Sequence, residues 1–357
     1  MKLWSLKFLV LGSSILSGCS HLSATKYVLT PDYLLSKGSQ QVTFLGDNER
    51  PRFSDDGSRL IYTSHNRGNQ KNSQLFELDL NRNKERRMTY SDGNAFDPVF
   101  MSDSEILYAS TTDEIKESPF LNKNPDKDFP PSDLYMSDRF GADIVRLSQQ
   151  PGYDAEPIFV KHPTEPYIIF TSRRGDLTGI YRMNLKHVLV SLISAEKDKD
   201  RKSSTISPDQ KDLAFIEKDL KSGDLSMQLL NMKTNKAITL KTGEGLYRDL
   251  FFAPRSPHRL FYSILRNGEK QYQLEVYNVE TKCTQVVFKG ADSLFYPTVS
   301  NESRERLAFS RLFQDRQQIY IVNLPPDLGP CLEQQNAVAV PAAAPTDAPA
   351  TPAAASN

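Results

Sequence analysis

One short pattern, two apolar residues followed by an aromatic ring, recurs six times along the chain. It reads Leu60-Ile61-Tyr62, Ile106-Leu107-Tyr108, Ile168-Ile169-Phe170, Leu213-Ala214-Phe215, Leu260-Phe261-Tyr262 and Leu307-Ala308-Phe309. Successive copies lie 45 to 47 residues apart, except for one gap of 62. Upstream of each lies a second strand-like element: Pro51-Arg52-Phe53-Ser54, Pro98-Val99-Phe100, Pro157-Ile158-Phe159, Thr205-Ile206-Ser207, Phe251-Phe252-Ala253 and Pro297-Thr298-Val299-Ser300. A turn separates the two, clearest at Ser54-Asp55-Asp56-Gly57 and Ser207-Pro208-Asp209, where Asp and Gly tolerate the tight backbone. A third element alternates apolar and polar residues, as in Leu75-Phe76-Glu77-Leu78-Asp79-Leu80 and Ile319-Tyr320-Ile321-Val322-Asn323-Leu324. A fourth is short, as in Arg87-Met88-Thr89 and Ala237-Ile238-Thr239-Leu240. A repeat of roughly 45 residues carrying four antiparallel strands is the signature of a propeller blade. The expected fold is therefore all-β, a six-bladed β-propeller of four-stranded antiparallel blades.

The repeat resembles that of the TolB-type propeller family, which runs Pro-x-aromatic-Ser-Pro-Asp-Gly, then a strand, then Ile-Tyr-x-x-Asp, then Leu-Thr. The best matches are Pro51 to Gly57, Ser207-Pro208-Asp209, Asp133-Leu134-Tyr135-Met136-Ser137-Asp138 and Ile180-Tyr181-Arg182-Met183-Asn184. The resemblance covers about 41–324. It implies a propeller, and partners such as peptidoglycan-associated lipoproteins or envelope assembly factors. The family's repeat serves many tasks, so function has to be argued from the site.

The ends of the repeat region predict how the ring closes. Pro325-Pro326 follows the third strand of the sixth unit and breaks any ladder there. Gln41-Val42-Thr43-Phe44-Leu45 precedes the first unit and reads as a fourth strand, expected to complete the last blade. Cys283 falls at a strand turn of the fifth unit. Cys331 lies seven residues beyond Leu324, a reach of up to about 23 Å. A Cys283–Cys331 disulfide is one expectation; a buried thiol at 283 and an incidental one at 331 is the other.

The amino terminus carries Lys2 and Lys7, then an apolar run from Phe8 to Leu16, shorter than the about 20 residues that span a bilayer. Leu16-Ser17-Gly18-Cys19 resembles the lipobox of bacterial lipoproteins. That resemblance implies cleavage before Cys19 and lipidation of its thiol, and Ser20 implies an outer-membrane lipoprotein facing the periplasm. Acyl chains anchor at about 0.8 kcal/mol per buried methylene. From Ala337 the chain is mostly Ala, Pro and Thr, with too little apolar surface to offset ordering entropy. The expected organisation is a signal peptide at 1–18, a lipidated tether at 19–40, the propeller at 41–330 and a disordered tail at 331–357.

Charge is balanced, 44 Lys and Arg against 44 Asp and Glu. Nothing in it points to nucleic acid, and no second apolar run suggests a spanning helix. The expected molecule is a monomer held on the membrane by lipid alone.

In a propeller the start of each first strand rings the central channel. Those positions are Arg50, Asp97, Glu156, Ser203, Asp249 and Tyr296, expected just ahead of the strands. Three carboxylates at one mouth suit a cation such as Ca²⁺, or a basic group of a partner. Tyr247, Arg248, Phe295 and Tyr296 add the aromatic and Arg content of binding hot spots. The long gap places an insertion, Thr111 to Ser132, between the second and third strands of the second unit, where function often resides.

No catalytic constellation is visible. The chain lacks a His-Glu-x-x-His helix, a Gly-x-Ser-x-Gly elbow and a Gly-rich phosphate loop. Its histidines, His21, His65, His162, His187 and His258, are scattered. The expected function is a non-catalytic protein-binding or scaffold module of the cell envelope. Binding of a glycan, small solute or metal, and a propeller lyase or hydrolase, are the alternatives.

Overall fold

The computed structural model describes residues 38–68, 70–113 and 129–333. These fall within one compact unit, Tyr33–Asn357. The expected signal peptide, Cys19, most of the expected tether, the core of the Thr111 to Ser132 insertion and the Ala-rich tail lie outside the described residues. No helix among the described residues is long and apolar enough to cross a membrane.

A short strand, β1 (Gln40–Gln41), comes first. Five sheets, antiparallel except for one pairing, account for the strands. The first meander is β2 (Asp47–Phe53), β3 (Arg59–His65), β4 (Gln74–Asp79) and β5 (Lys84–Arg87). The second is β6 (Ala95–Phe100), β7 (Glu105–Ser110), β8 (Asp133–Asp138) and β9 (Val145–Arg146). Next come β10 (Tyr153–Val160), β11 (Tyr167–Arg174), β12 (Leu177–Asn184) and β13 (Leu189–Ala195). They share an eight-stranded sheet with β14 (Lys199–Ile206), β15 (Asp212–Asp219), β16 (Leu225–Asn231) and β17 (Lys236–Thr242). The link between these halves is one parallel pairing, Thr178 with Asp200, so the sheet is two meanders joined at a corner. A further sheet holds β18 (Gly245–Phe252), β19 (Arg259–Arg266), β20 (Gln273–Asn278) and β21 (Cys283–Phe288). The last holds β22 (Ser293–Val299), β23 (Arg306–Phe313) and β24 (Arg316–Asn323), with β1 on its outer edge.

The repeated triplet occupies the second strand of every meander, where its residues are almost wholly buried. Three consecutive buried residues in a strand require both faces of the sheet to be covered. Leu60 and Tyr62 pack against Ala308 and Ile319 of the last sheet. Ile61, on the opposite face, packs with Ile106 and Tyr108 of the second meander. Burying such a side chain contributes about 1.5–3 kcal/mol, so the triplet is the main source of cohesion between meanders.

The turn motif also has a local cause. Ser54 Oγ donates to Asp56 Oδ1 (2.6 Å), and the Gly57 N–H closes on the Ser54 carbonyl (2.9 Å) with Gly57 at φ 73°. Ser207 and Asp209 repeat the arrangement at 2.7 Å, with Gln210 taking the left-handed position at φ 60°.

The amino-terminal segment is joined to the last sheet more briefly than the sequence suggests. β1 pairs Gln40 with Ile321 and Gln41 with Tyr320, and Val42 N–H donates to the Ile319 carbonyl (2.9 Å). The ladder ends there: Phe44 and Leu45, expected in the strand, are 62% and 65% exposed. Side chains take over from the ladder. Thr43 Oγ1 donates to Gln318 Oε1 (2.8 Å) and accepts from Ile319 N–H (2.9 Å). Gln318 Nε2 donates to the Gly46 carbonyl (2.7 Å).

At the other end, the fold continues to Glu333, into the segment expected as tail. Cys331 is joined to Cys283 at the start of β21, with Cα atoms 5.3 Å apart. Glu333 accepts from Thr284 N–H (2.9 Å) and from Lys241 Nζ (2.9 Å). A disulfide closing a loop of this length contributes about 4 kcal/mol by the chain-entropy account.

Candidate functional site in the central cavity

The first strands of all the meanders line one cavity of about 550 Å³. Each of these strands breaks its register once, between Glu49 and Arg52, Phe96 and Val99, Ala155 and Ile158, Lys202 and Thr205, Arg248 and Phe251, and Phe295 and Thr298. The residues at these bulges are Arg50, Asp97, Glu156, Ser203, Asp249 and Tyr296, at φ between 53° and 58°. They were expected just ahead of the strands; they lie within them. A bulge re-aims a side chain out of the sheet's alternation, and here it turns six side chains toward the cavity.

These side chains are connected in order. Arg50 is paired with Asp97. Asp97 Oδ2 accepts from the Glu156 N–H (3.1 Å), and Glu156 Oε2 accepts from the Ser203 N–H (2.6 Å). Ser203 Oγ accepts from the Leu250 N–H (3.3 Å), and Asp249 Oδ2 accepts from the Tyr296 N–H (3.1 Å). The Arg50 guanidinium lies over the Tyr296 ring, 5.0 Å from its centre. Each bulge residue thus grips the next meander, and the circuit returns to its start.

In this geometry the carboxylates are engaged within the protein. Asp97 and Asp249 are paired with Arg50 and Arg248, the latter at 3.0 Å. Glu156 Oε2 also accepts from Thr171 Oγ1 (2.8 Å). Among the described residues, no group of three or more His, Cys, Asp or Glu side chains is arranged to hold a metal ion. Burial raises the Asp97 carboxyl, and Glu156 and Glu49 add to that rise against the pull of Arg50. Burial opposes the Arg50 charge, but Asp97 holds it firmly protonated.

The expected aromatic contacts are partly buried structure. Tyr247 is 2% exposed and packs in a core cluster with Tyr262 and Leu250. Phe295 is 8% exposed, beneath the Arg248 guanidinium at 4.8 Å. Arg248 Nη2 donates to the Tyr296 hydroxyl (2.9 Å), and its guanidinium lies over the Tyr296 ring at 5.2 Å. Arg248, Asp249, Tyr296 and, though almost wholly buried, Tyr247 line the cavity, whereas Phe295 packs behind it.

Sequence reasoning missed Arg52, Lys202 and Lys218, which line the same cavity. Arg52 lies two residues beyond a bulge position, and Lys202 immediately before one. That spacing was legible, but the bulge that brings both neighbours inward was not.

The histidines stay apart. His65 Nε2 is 2.9 Å from Glu49 Oε1. There burial raises the Glu49 carboxyl, but the bond to His65 and the charges of Arg50, His65 and Arg248 outweigh it, leaving the group below the ordinary value. His162 lies in the β10–β11 turn, His187 in the β12–β13 turn and His258 in the β18–β19 turn. His21 lies outside the described residues.

No family model matches the chain, and no curated protein matches it. Solved structures do. The chain is similar to oligogalacturonate lyase from Vibrio parahaemolyticus, with 16% identity, 81% of each chain covered and a TM-score of 0.55. It is similar to a putative TolB from Agrobacterium tumefaciens, with 11% identity, 78% of this chain and 90% of that one covered, and a TM-score of 0.55. TolB from Acinetobacter baumannii aligns at 14% identity over 78% of this chain and 66% of that one, with a TM-score of 0.51. At such identities the likeness is one of fold: the chain is a β-propeller.

Proposed function

We propose that the chain is a lipid-anchored, six-bladed propeller of the bacterial envelope that binds a protein partner, without catalysis, at the mouth of its central cavity. In this reading each four-strand meander is one blade, and the amino-terminal segment supplies the outer strand of the last. The pairing of β1 with β24 supports that closure. The Leu16-Ser17-Gly18-Cys19 motif supports export and anchoring toward the periplasm, with Cys19 as the lipidated residue.

The observation that carries the binding role is the rigid circuit around the cavity. Side chains locked by bonds to the neighbouring blade lose little further freedom when a partner docks, which lowers the cost of association. The same circuit argues against acid–base chemistry, since Asp97, Glu156 and Asp249 all accept from main-chain N–H groups, and Asp97 and Asp249 are also paired with arginines. A general base needs a lone pair directed at substrate.

Affinity capture from detergent-solubilised envelope tests the reading. Leu246 lines the cavity and is 48% exposed, so Leu246→Asp alters the binding face and spares the core. A stoichiometric partner captured by the parent protein and lost with Leu246→Asp is the expected result. A partner retained equally by both overturns the site. Cys19→Ala is expected to release the protein from the membrane fraction; retention there overturns the anchor.

A further inference from the structure

The cavity has more positive charge than its structure uses. Five cationic side chains line it against three carboxylates. Arg50 and Arg248 are consumed by Asp97 and Asp249. Arg52, Lys202 and Lys218 have no carboxylate within ion-pair distance among the described residues. Among the described residues Arg52 donates to the Pro51 carbonyl (3.1 Å) and lies over the Phe251 ring (5.3 Å). Lys202 lies over the Phe129 ring at 5.4 Å. Glu156 offsets one of these charges and Glu49, 3.7 Å from Arg50, adds to the negative side, but a net positive charge remains inside a concave, partly desolvated space, where field lines are focused.

We propose that the cavity is a receptor for carboxylate groups, with Arg52, Lys202 and Lys218 as its charge, and that its ligand is an acidic peptide segment. The proposal rests on the binding role argued above and names the chemistry of the partner. A planar guanidinium beside two mobile ammonium groups suits carboxylate recognition, Arg offering a fork and Lys point charges. Burial lowers the Arg52 pKa, as does repulsion from Arg50, while Asp97, Asp249 and Glu156 oppose the fall. An incoming anion relieves that repulsion.

A peptide fits better than an acidic sugar for a reason visible in the aromatic rings. Sugar rings are commonly held by stacking on an open aromatic face. Here the Tyr296 ring is overlain by Arg50 and Arg248, and the Tyr272 ring by Arg248 at 5.6 Å. Tyr153 meets Phe129 edge-on, ring centres 5.3 Å apart. The charged side chains left for a ligand are the cations Arg52, Lys202 and Lys218, beside apolar lining such as Leu246.

Titration calorimetry on the mature protein at pH 7 provides the test, with four probes: blocked tetraglutamate, tetralysine and tetraglutamine peptides, and tetragalacturonate. The expected result is binding of tetraglutamate that weakens with added salt, and none of tetralysine or tetraglutamine. The double variant Arg52→Gln/Lys202→Gln is expected to weaken tetraglutamate at least tenfold. Lys218→Gln alone, outside the tightest packing, is expected to weaken it severalfold and serves if the double variant does not fold. Equal binding of tetralysine, or tetraglutamate affinity unmoved by these variants, overturns the site. Tetragalacturonate bound in preference to tetraglutamate overturns the peptide assignment. A captured envelope partner that still binds Arg52→Gln/Lys202→Gln leaves the binding role standing and removes the carboxylate site.

Discussion

Six side chains in the left-handed backbone region, none of them glycine, set the residue-scale character of this cavity. Such a conformation costs an L-residue roughly 1–2 kcal/mol. It persists here because the bulge residues bind the next meander, so strain is offset by bonds between sheets. Asp97 has the most to lose: it accepts from Glu156 N–H and neutralises Arg50. Asp97→Ala leaves the Glu156 N–H without its acceptor and Arg50 with Glu49 alone, at 3.7 Å, and we expect a loss of about 1–3 kcal/mol in urea denaturation. A loss under about 1 kcal/mol means the circuit does not hold the sheets together. A second set of left-handed residues lies in the turns between third and fourth strands: Asn83, Asp143, Val188, Asn235 and Lys282, at φ 49° to 57°. Asn and Asp tolerate that region, whereas a β-branched side chain does not. Val188 is half exposed, so little packing holds it there. Val188→Asn is expected to stabilise the fold by about 1 kcal/mol, seen as a higher melting temperature; a fall shows that Val188 packs against something that offsets its strain.

Among the elements, the second strands were plain in the sequence and the closing strand was only half so. Leu60-Ile61-Tyr62 and its counterparts announce themselves because a strand buried on both faces has no polar alternation to interrupt it. The innermost strands were located by their Pro-aromatic starts, but their bulges were invisible, since residue identity does not reveal where a ladder slips by one. Hence sequence alone places the six bulge positions ahead of their strands rather than within them, and leaves Arg52 and Lys202 unmarked. Val42, Phe44 and Leu45 give the segment after Gln41 the apolar content of a strand. In the structure the polar Thr43 is the buried residue, at 2% exposed. Its hydroxyl satisfies the Ile319 N–H where the β1 ladder stops. Thr43→Val keeps the shape and removes that acceptor, leaving a buried donor unpaired at a cost of about 1–3 kcal/mol. Thermal or urea denaturation measures it; a variant as stable as the parent means that the β1 seam contributes nothing at this point.

At the scale of the whole molecule, acid should loosen what neutral pH holds together. Several carboxyls sit below their ordinary values in the folded state. Asp56 is lowered from 3.8 to about 2, chiefly by the bond from Ser54. Burial raises Glu333, but its bonds to Lys241 and Thr284 outweigh that and bring it from 4.5 to about 2. Burial also opposes the fall at Glu85, where bonds from Arg67 and Tyr62 win. Asp209 is lowered chiefly by the bond from Ser207. A carboxyl with a depressed folded pKa binds fewer protons folded than unfolded. Its stabilisation is therefore present above the unfolded pKa and lost as pH falls through the folded one. Asp97 has the opposite sign, because its raised pKa favours the protonated form in the folded protein. With Glu49 and Asp219 also lowered, six groups against one predict a net loss of stability between about pH 4.5 and pH 2. Glu333 permits a specific check, since it ties the end of the described fold to two strands, through Lys241 and Thr284. In Glu333→Gln the amide does not titrate, so the melting temperature should start lower at pH 7 and fall less steeply on acidification. The parent and variant curves should converge near pH 2, where the parent carboxylate has taken up its proton. Parallel curves over the whole window would show that the Glu333 contacts carry no pH-dependent stability.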